Sequence, residues 1–197
     1  MKRGGRRADI LRHARCVFAR RGYHDTSVAD IIDEAGIARG TLYLYFDGKR
    51  QVFGALLDGL LEQLDDAVRA VRLGPGHPAP LDQVRASVRR VLELLVRDPD
   101  NVKLLFHHAT GLDKPGQAAL RRFYDRLLRM IGMSLEHGMQ MGIVRKCDPR
   151  VVGACIFGMV KEVVERVALR GAGRVDLEAV AGEIVAFGLK GILQGRA

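Results

Sequence analysis

The chain has 197 residues, 48% of them hydrophobic and 28% charged, a globular balance that argues against long disorder. No run of about 18 apolar residues occurs, which excludes a membrane-spanning helix, and the basic N-terminus lacks the apolar stretch and cleavage site of a signal peptide. The formal net charge of +9 is unevenly spread: residues 1–50 carry 11 Lys+Arg against 6 Asp+Glu, and the first 21 residues carry 8 against 1. That asymmetry directs the N-terminal quarter toward a polyanion. Three cysteines, Cys16, Cys147 and Cys155, have no CxxC spacing. They argue against a disulfide framework and for a reducing cytoplasm, each cysteine being expected as a small buried hydrophobe.

Strand signals are nearly absent, and the recurring period is helical. Ile10, Ala14, Val17 and Phe18 share one face of a first helix that stops at Gly22. Ser27 is placed to cap a second helix, whose stripe is Val28, Ile31, Ile32 and Ala35 and whose end is a left-handed Gly36. A short third helix over about 39–45 follows at once. Asp47-Gly48 restarts the chain into a fourth helix of about 25 residues, apolar from Val52 through Leu64 to Val68. LGPGHPAP at 73–80 is a loop, rich in helix breakers. Further helices are expected over about 81–96, 101–109, 117–141 and 150–169, the last opened by Asp148-Pro149. Asp176 caps a final helix reaching about 194. The expected fold class is all-α, with about nine helices.

Two short helices joined by a glycine-containing turn and backed by a preceding helix form a helix-turn-helix arrangement. Ile31, Ile32 and Ala35 can pack against Ile37, Leu42 and Phe46, with Ile10, Val17 and Phe18 closing the core. Arg39, Gly40, Thr41, Tyr43 and Tyr45 are then left outward. Gly40 lets a backbone come close, Arg39 can fork onto guanine edges, and the hydroxyls can bond phosphate oxygens. Lys49 stands in the first turn of the fourth helix, where its charge and the helix N-terminus both attract phosphate. Ser27 can cap its helix and face phosphate at once.

From Ile10 through Phe53 the sequence resembles the DNA-binding domain of the tetracycline-repressor (TetR/AcrR) family of bacterial regulators. The landmarks are Gly22-Tyr23, Thr26-Ser27, Ala35-Gly36, GTLY over 40–43, Phe46 and Lys49. The resemblance implies a three-helix DNA-binding domain over residues 1–48, joined by the long fourth helix to a ligand-binding and dimerisation domain over 49–197. It implies a homodimeric regulator, usually a repressor, that binds double-stranded operator DNA and a small-molecule effector. By position, Arg39, Gly40 and Thr41 would face bases or nearby backbone, and Thr26, Ser27, Tyr43, Tyr45 and Lys49 would bind phosphates. Two departures stand out. Ala38 stands where a capping serine is common, and Tyr45 where histidine is common.

The remaining helices carry no catalytic motif, so no enzyme, cofactor or metal is expected. His107-His108 point about 100° apart on a helix and do not share a metal readily. Phe106, His107, Tyr124, Leu128 and Phe157 are candidates to line an apolar effector cavity; the same residues could simply fill the core. Helices 150–169 and 176–194 mix apolar residues with Gly153, Gly158, Gly182, Gly188 and Gly191, which suits a four-helix interface between two copies. Such a dimer makes the operator pseudo-palindromic. The alternative is a helical DNA-binding regulator switched by a protein partner.

Overall fold

The computed structural model describes residues 3–107, 112–169 and 175–192. Among them are nine α-helices: α1 (Arg3–Arg21), α2 (Val28–Ala35), α3 (Arg39–Tyr43), α4 (Lys49–Ala67), α5 (Pro80–Val96), α6 (Pro99–Val102), α7 (Lys114–Gln140), α8 (Pro149–Leu169) and α9 (Leu177–Ile192). A π-helical segment, Lys103–His107, follows α6 directly. The described residues contain no strand, and no helix among them is long and apolar enough to cross a membrane. The all-α expectation from the helical period is what the structure shows. The chain divides into two compact units, one of Met1–Leu61 with Pro99–Phe123, the other of Glu62–Asp98 with Tyr124–Ala197.

In the first unit α1 packs on α2, on α6 and on the π-helical segment, and α2 packs on α3. Ile10, Ala14, Val17 and Phe18 are buried, as are Ile31, Leu42 and Phe46; Ile32, Ala35 and Ile37 are half-buried. Phe18, Tyr23 and Phe53 form an aromatic cluster, with the Tyr23 and Phe53 centroids 4.9 Å apart. Two ion pairs, Arg20–Glu34 and Arg21–Asp30, join the end of α1 to α2 along the surface. Exposed pairs of this kind contribute little, so the apolar contacts set the packing. Gly36 adopts φ 59°, ψ 41°, and Ile37 N–H reaches Ile32 O at 3.2 Å. This left-handed cap turns the chain from α2 into α3, a conformation costly for any residue with a Cβ.

Two helices differ most from expectation. The fourth helix ends at Ala67, well short of 25 residues, because side chains of α5 capture the backbone there. Arg90 Nε donates to Ala67 O (2.8 Å), Ser87 Oγ accepts from Arg69 N–H (3.4 Å), and Gln83 bonds both backbone groups of Arg72. Of the helix expected over 101–109, residues 108 and 109 lie outside the described residues, and the part up to 107 is one α-helical turn plus the π-helical segment. It buries Asn101, Val102, Leu104 and Leu105, a face wider than one α-helical stripe.

In the second unit α5 packs on α9 and α8, and α8 on α9. Leu92, Leu95, Val164, Ala181, Ile184 and Val185 are buried there. Asp148 opens α8 by accepting Arg150 N–H at 2.9 Å, and Asp176 opens α9 by accepting Glu178 N–H at 3.0 Å. Gly153 is used inside the chain, where a Cβ would lie 3.5 Å from Ile131 of α7. The cysteines are free, but Cys155 is exposed and Cys16 and Cys147 are half-buried, not buried as expected.

Candidate nucleic-acid interface

α3 has only five residues, and its N-cap Ala38 offers no side-chain hydrogen bond. A helix this short does not hold itself together. Leu42, fully buried, pins its inner side, and Phe46 N–H closes the end by donating to Leu42 O at 3.0 Å. Arg39, Gly40, Tyr43 and Leu44 are thereby left exposed, with Thr41 and Tyr45 half-buried. The Arg39 guanidinium lies 5.8 Å from the centre of the Tyr43 ring, a cation–π contact that holds both at one surface.

Gly40 has no role in the chain's own packing. Its φ is not positive, and a Cβ added there would meet nothing within 4 Å. Alanine would favour the helix by about 1 kcal/mol. Any demand for glycine at this position therefore comes from outside the molecule.

Ser27 caps α2 in a full capping box. Its hydroxyl accepts Asp30 N–H at 3.1 Å, and Asp30 Oδ2 accepts the Ser27 backbone N–H at 2.7 Å. The Ser27 hydroxyl and backbone bonds, with Arg21 nearby, hold the Asp30 carboxyl below its ordinary range. The cap therefore persists at neutral pH and is lost only in acid, as the pH falls through that lowered value. Ser27 remains exposed at the helix N-terminus.

Two expected phosphate ligands are committed elsewhere. Thr26 is 1% exposed, and its hydroxyl donates to Gly22 O at 2.7 Å. Its side chain is withdrawn from the surface to close the turn after α1. Lys49 Nζ donates to the carbonyls of Tyr23 (2.9 Å), His24 (3.0 Å) and Thr26 (2.8 Å), and sits 4.6 Å from the Tyr23 ring centre. An ammonium has three donors, and all three are used. Lys49 staples the α1–α2 turn to the start of α4.

Two exposed residues were not singled out from the sequence. Arg7 of α1 lies 5.3 Å from the centre of the Phe46 ring, adding a guanidinium beside the end of α3. Leu44 is 76% exposed. The available signal was Leu42, which takes the inward position and leaves Leu44 two residues on with no core to enter.

The five pocket candidates divide between the units. Phe106, half-buried, is in the first; the side chain of His107 and residues 108–111 lie outside the described residues. In the second, the Tyr124 and Phe157 rings meet edge-on at 5.5 Å, and Leu128 is half-buried. Burial, with the Glu165 charge adding to it, pushes the Tyr124 hydroxyl up to about 12, so it is a neutral donor at physiological pH. An open depression of about 640 Å³ lies elsewhere, lined by Asp148, Arg150, Val151, Ala154 and Cys155. Among the described residues no group of His, Cys, Asp and Glu could hold a metal ion.

Residues 10–56 match the family model for bacterial regulatory proteins of the tetR family, and residues 77–192 match that of the tetracyclin repressor-like C-terminal domain. The HTH-type transcriptional regulator YfiR of Bacillus subtilis (strain 168) is 25% identical over 194 residues, covering 96% of this chain and 92% of that protein. The fatty acid degradation regulator FadR from Bacillus halodurans superposes with a TM-score of 0.81 over 100% of both chains at 24% identity. FadR from Bacillus subtilis, solved with stearoyl-CoA, gives a TM-score of 0.75 over 94% of this chain and 98% of that one at 22% identity.

The geometry at Lys49 predicts that Lys49→Met lowers stability in the absence of DNA. The loss expected is about 1.5–3 kcal/mol, the range for hydrogen bonds to a charged group. Urea denaturation of the free protein measures it; unchanged stability would return Lys49 to the surface.

Proposed function

The chain belongs to the tetR family of bacterial regulatory proteins, and from that premise we propose that it is a homodimeric repressor released from a pseudo-palindromic operator by a small, largely apolar effector. Family membership makes it a transcriptional regulator and not an enzyme. The observation that carries the DNA-reading assignment is Gly40, a helical glycine with open space above it. It stands among exposed Arg39, Tyr43 and Leu44 on the helix that follows the turn. Close approach at Gly40 puts Arg39 and Thr41 within reach of base edges, while Tyr43, Tyr45 and Ser27 meet phosphates. Such a regulator works in the cytoplasm, on chromosomal DNA.

Self-association through α8 and α9 is supported by Val151, 60% exposed, and Phe187, 75% exposed, large apolar groups that a second copy would cover. The effector reading is supported by the Tyr124–Phe157 pair, which joins apolar surface to one neutral donor. FadR from Bacillus subtilis carries stearoyl-CoA, and a long acyl chain suits the same composition here. Effector would act by binding more tightly to a dimer whose α3 spacing does not match the operator.

Fluorescence anisotropy on DNA fragments selected from the source genome tests the interface. Gly40→Ala should leave the fold as stable or more so, yet weaken binding at least tenfold. Tyr43→Ala should weaken all sequences alike, and Arg39→Ala should also relax base preference by about 1–3 kcal/mol at one position. Wild-type affinity in all three would refute this face. In the same assay stearoyl-CoA is expected to release DNA, and in a thermal-unfolding measurement to raise the melting temperature of the protein; indifference to it and to other acyl thioesters would count against the effector class.

A further inference from the structure

We propose that Leu44 is a specificity-determining residue that reads the methyl group of a thymine in the major groove, an inference that rests on the DNA-reading face described above. Leu44 is 76% exposed, whereas Leu42, two residues earlier, is fully buried. The fold thus leaves an isobutyl group in water on the side where it presents its recognition residues. Leu44 N–H donates to Gly40 O at 3.1 Å. The two residues therefore stand one helical turn apart on one side of α3. A surface that comes close enough to exploit bare Gly40 lies against Leu44 as well.

The chemistry of that contact narrows the occupant. Phosphate oxygens gain nothing from an isobutyl group, which displaces their water and returns no hydrogen bond. Arg39, Thr41 and Tyr43 supply the polar contacts around it. Of the groups that base pairs present in the major groove, the thymine C5-methyl is the apolar one. Exposure also separates recognition from folding: Leu44 is 76% exposed, so replacing it leaves the helix-turn-helix packing intact.

The test titrates full-length wild type and Leu44→Ala onto a genome-selected operator in which each thymine in turn is replaced by deoxyuridine. Loss of the methyl at one position of a half-site should weaken wild type about fourfold, the worth of one buried methyl group. It should leave Leu44→Ala unaffected, and that variant should bind the unmodified operator more weakly than wild type. Insensitivity of wild type to every substitution would place Leu44 against sugar and overturn the proposal. Equal methyl dependence in both proteins would assign the methyl to another residue and overturn it too. Failure of wild type to bind any DNA would instead refute the interface, and with it this inference.

Discussion

The ammonium of Lys49, bonded to the carbonyls of Tyr23, His24 and Thr26, is the interaction on which the reading face depends. α2, α3 and the turn between them lie wholly between those two points in the chain. Fixing the α1–α2 turn to the first residue of α4 closes that segment into a frame. The Tyr23 ring fills the frame against Phe18 and Phe53. Its hydroxyl, pushed up chiefly by burial, stays protonated and reaches Asp113 Oδ2 at 3.5 Å. Asp113 in turn accepts Gly116 N–H at 2.8 Å at the start of α7. One continuous set of contacts thus runs from the α4 N-terminus to the first turn of α7, within a single compact unit.

Such a frame explains how a five-residue helix without a side-chain cap presents a defined surface. α3 lacks the length and the capping hydroxyl that would make it stable alone. Leu42 and Phe46 fasten it from below, and Gly36 fixes its direction of entry. Its outer side then carries groups the fold does not need: a glycine that weakens the helix, an exposed leucine, and an arginine laid on a tyrosine. Each local departure from what favours folding falls on the same side. That coincidence is the physical signature of a contact surface.

Much of this was legible in the sequence because it follows from period and turn chemistry. The spacing of Ile10, Val17 and Phe18, the capping Ser27, the left-handed Gly36 and the inward Leu42 and Phe46 are local facts of the chain. The bonds of Lys49 to three carbonyls were not legible in the sequence, for a physical reason. A lysine at a helix N-terminus beside basic residues suggests phosphate, and carbonyls some 25 positions earlier in the chain carry no mark in their residue types. The turn-closing bond of Thr26 was hidden in the same way, since a hydroxyl can close a turn or face solvent with equal ease. The end of α4 depended on Gln83, Ser87 and Arg90 of another helix, a tertiary override of an apolar pattern that runs on to Val68. The effector candidates rested on composition alone, which does not distinguish a lining residue from a core residue.

The salt dependence of DNA binding tests the central claim most directly, because removing one cation from a phosphate makes the slope of log affinity against log salt shallower by about 0.9. Lys49 acts through the frame, so Lys49→Met should bind operator more weakly with an unchanged slope, whereas Arg7→Ala serves as a charge-removing comparison on the exposed side. A slope for Lys49→Met shallower than wild type by about 0.9, with the free protein as stable as before, would mean that its ammonium meets phosphate and that the frame is held by something else.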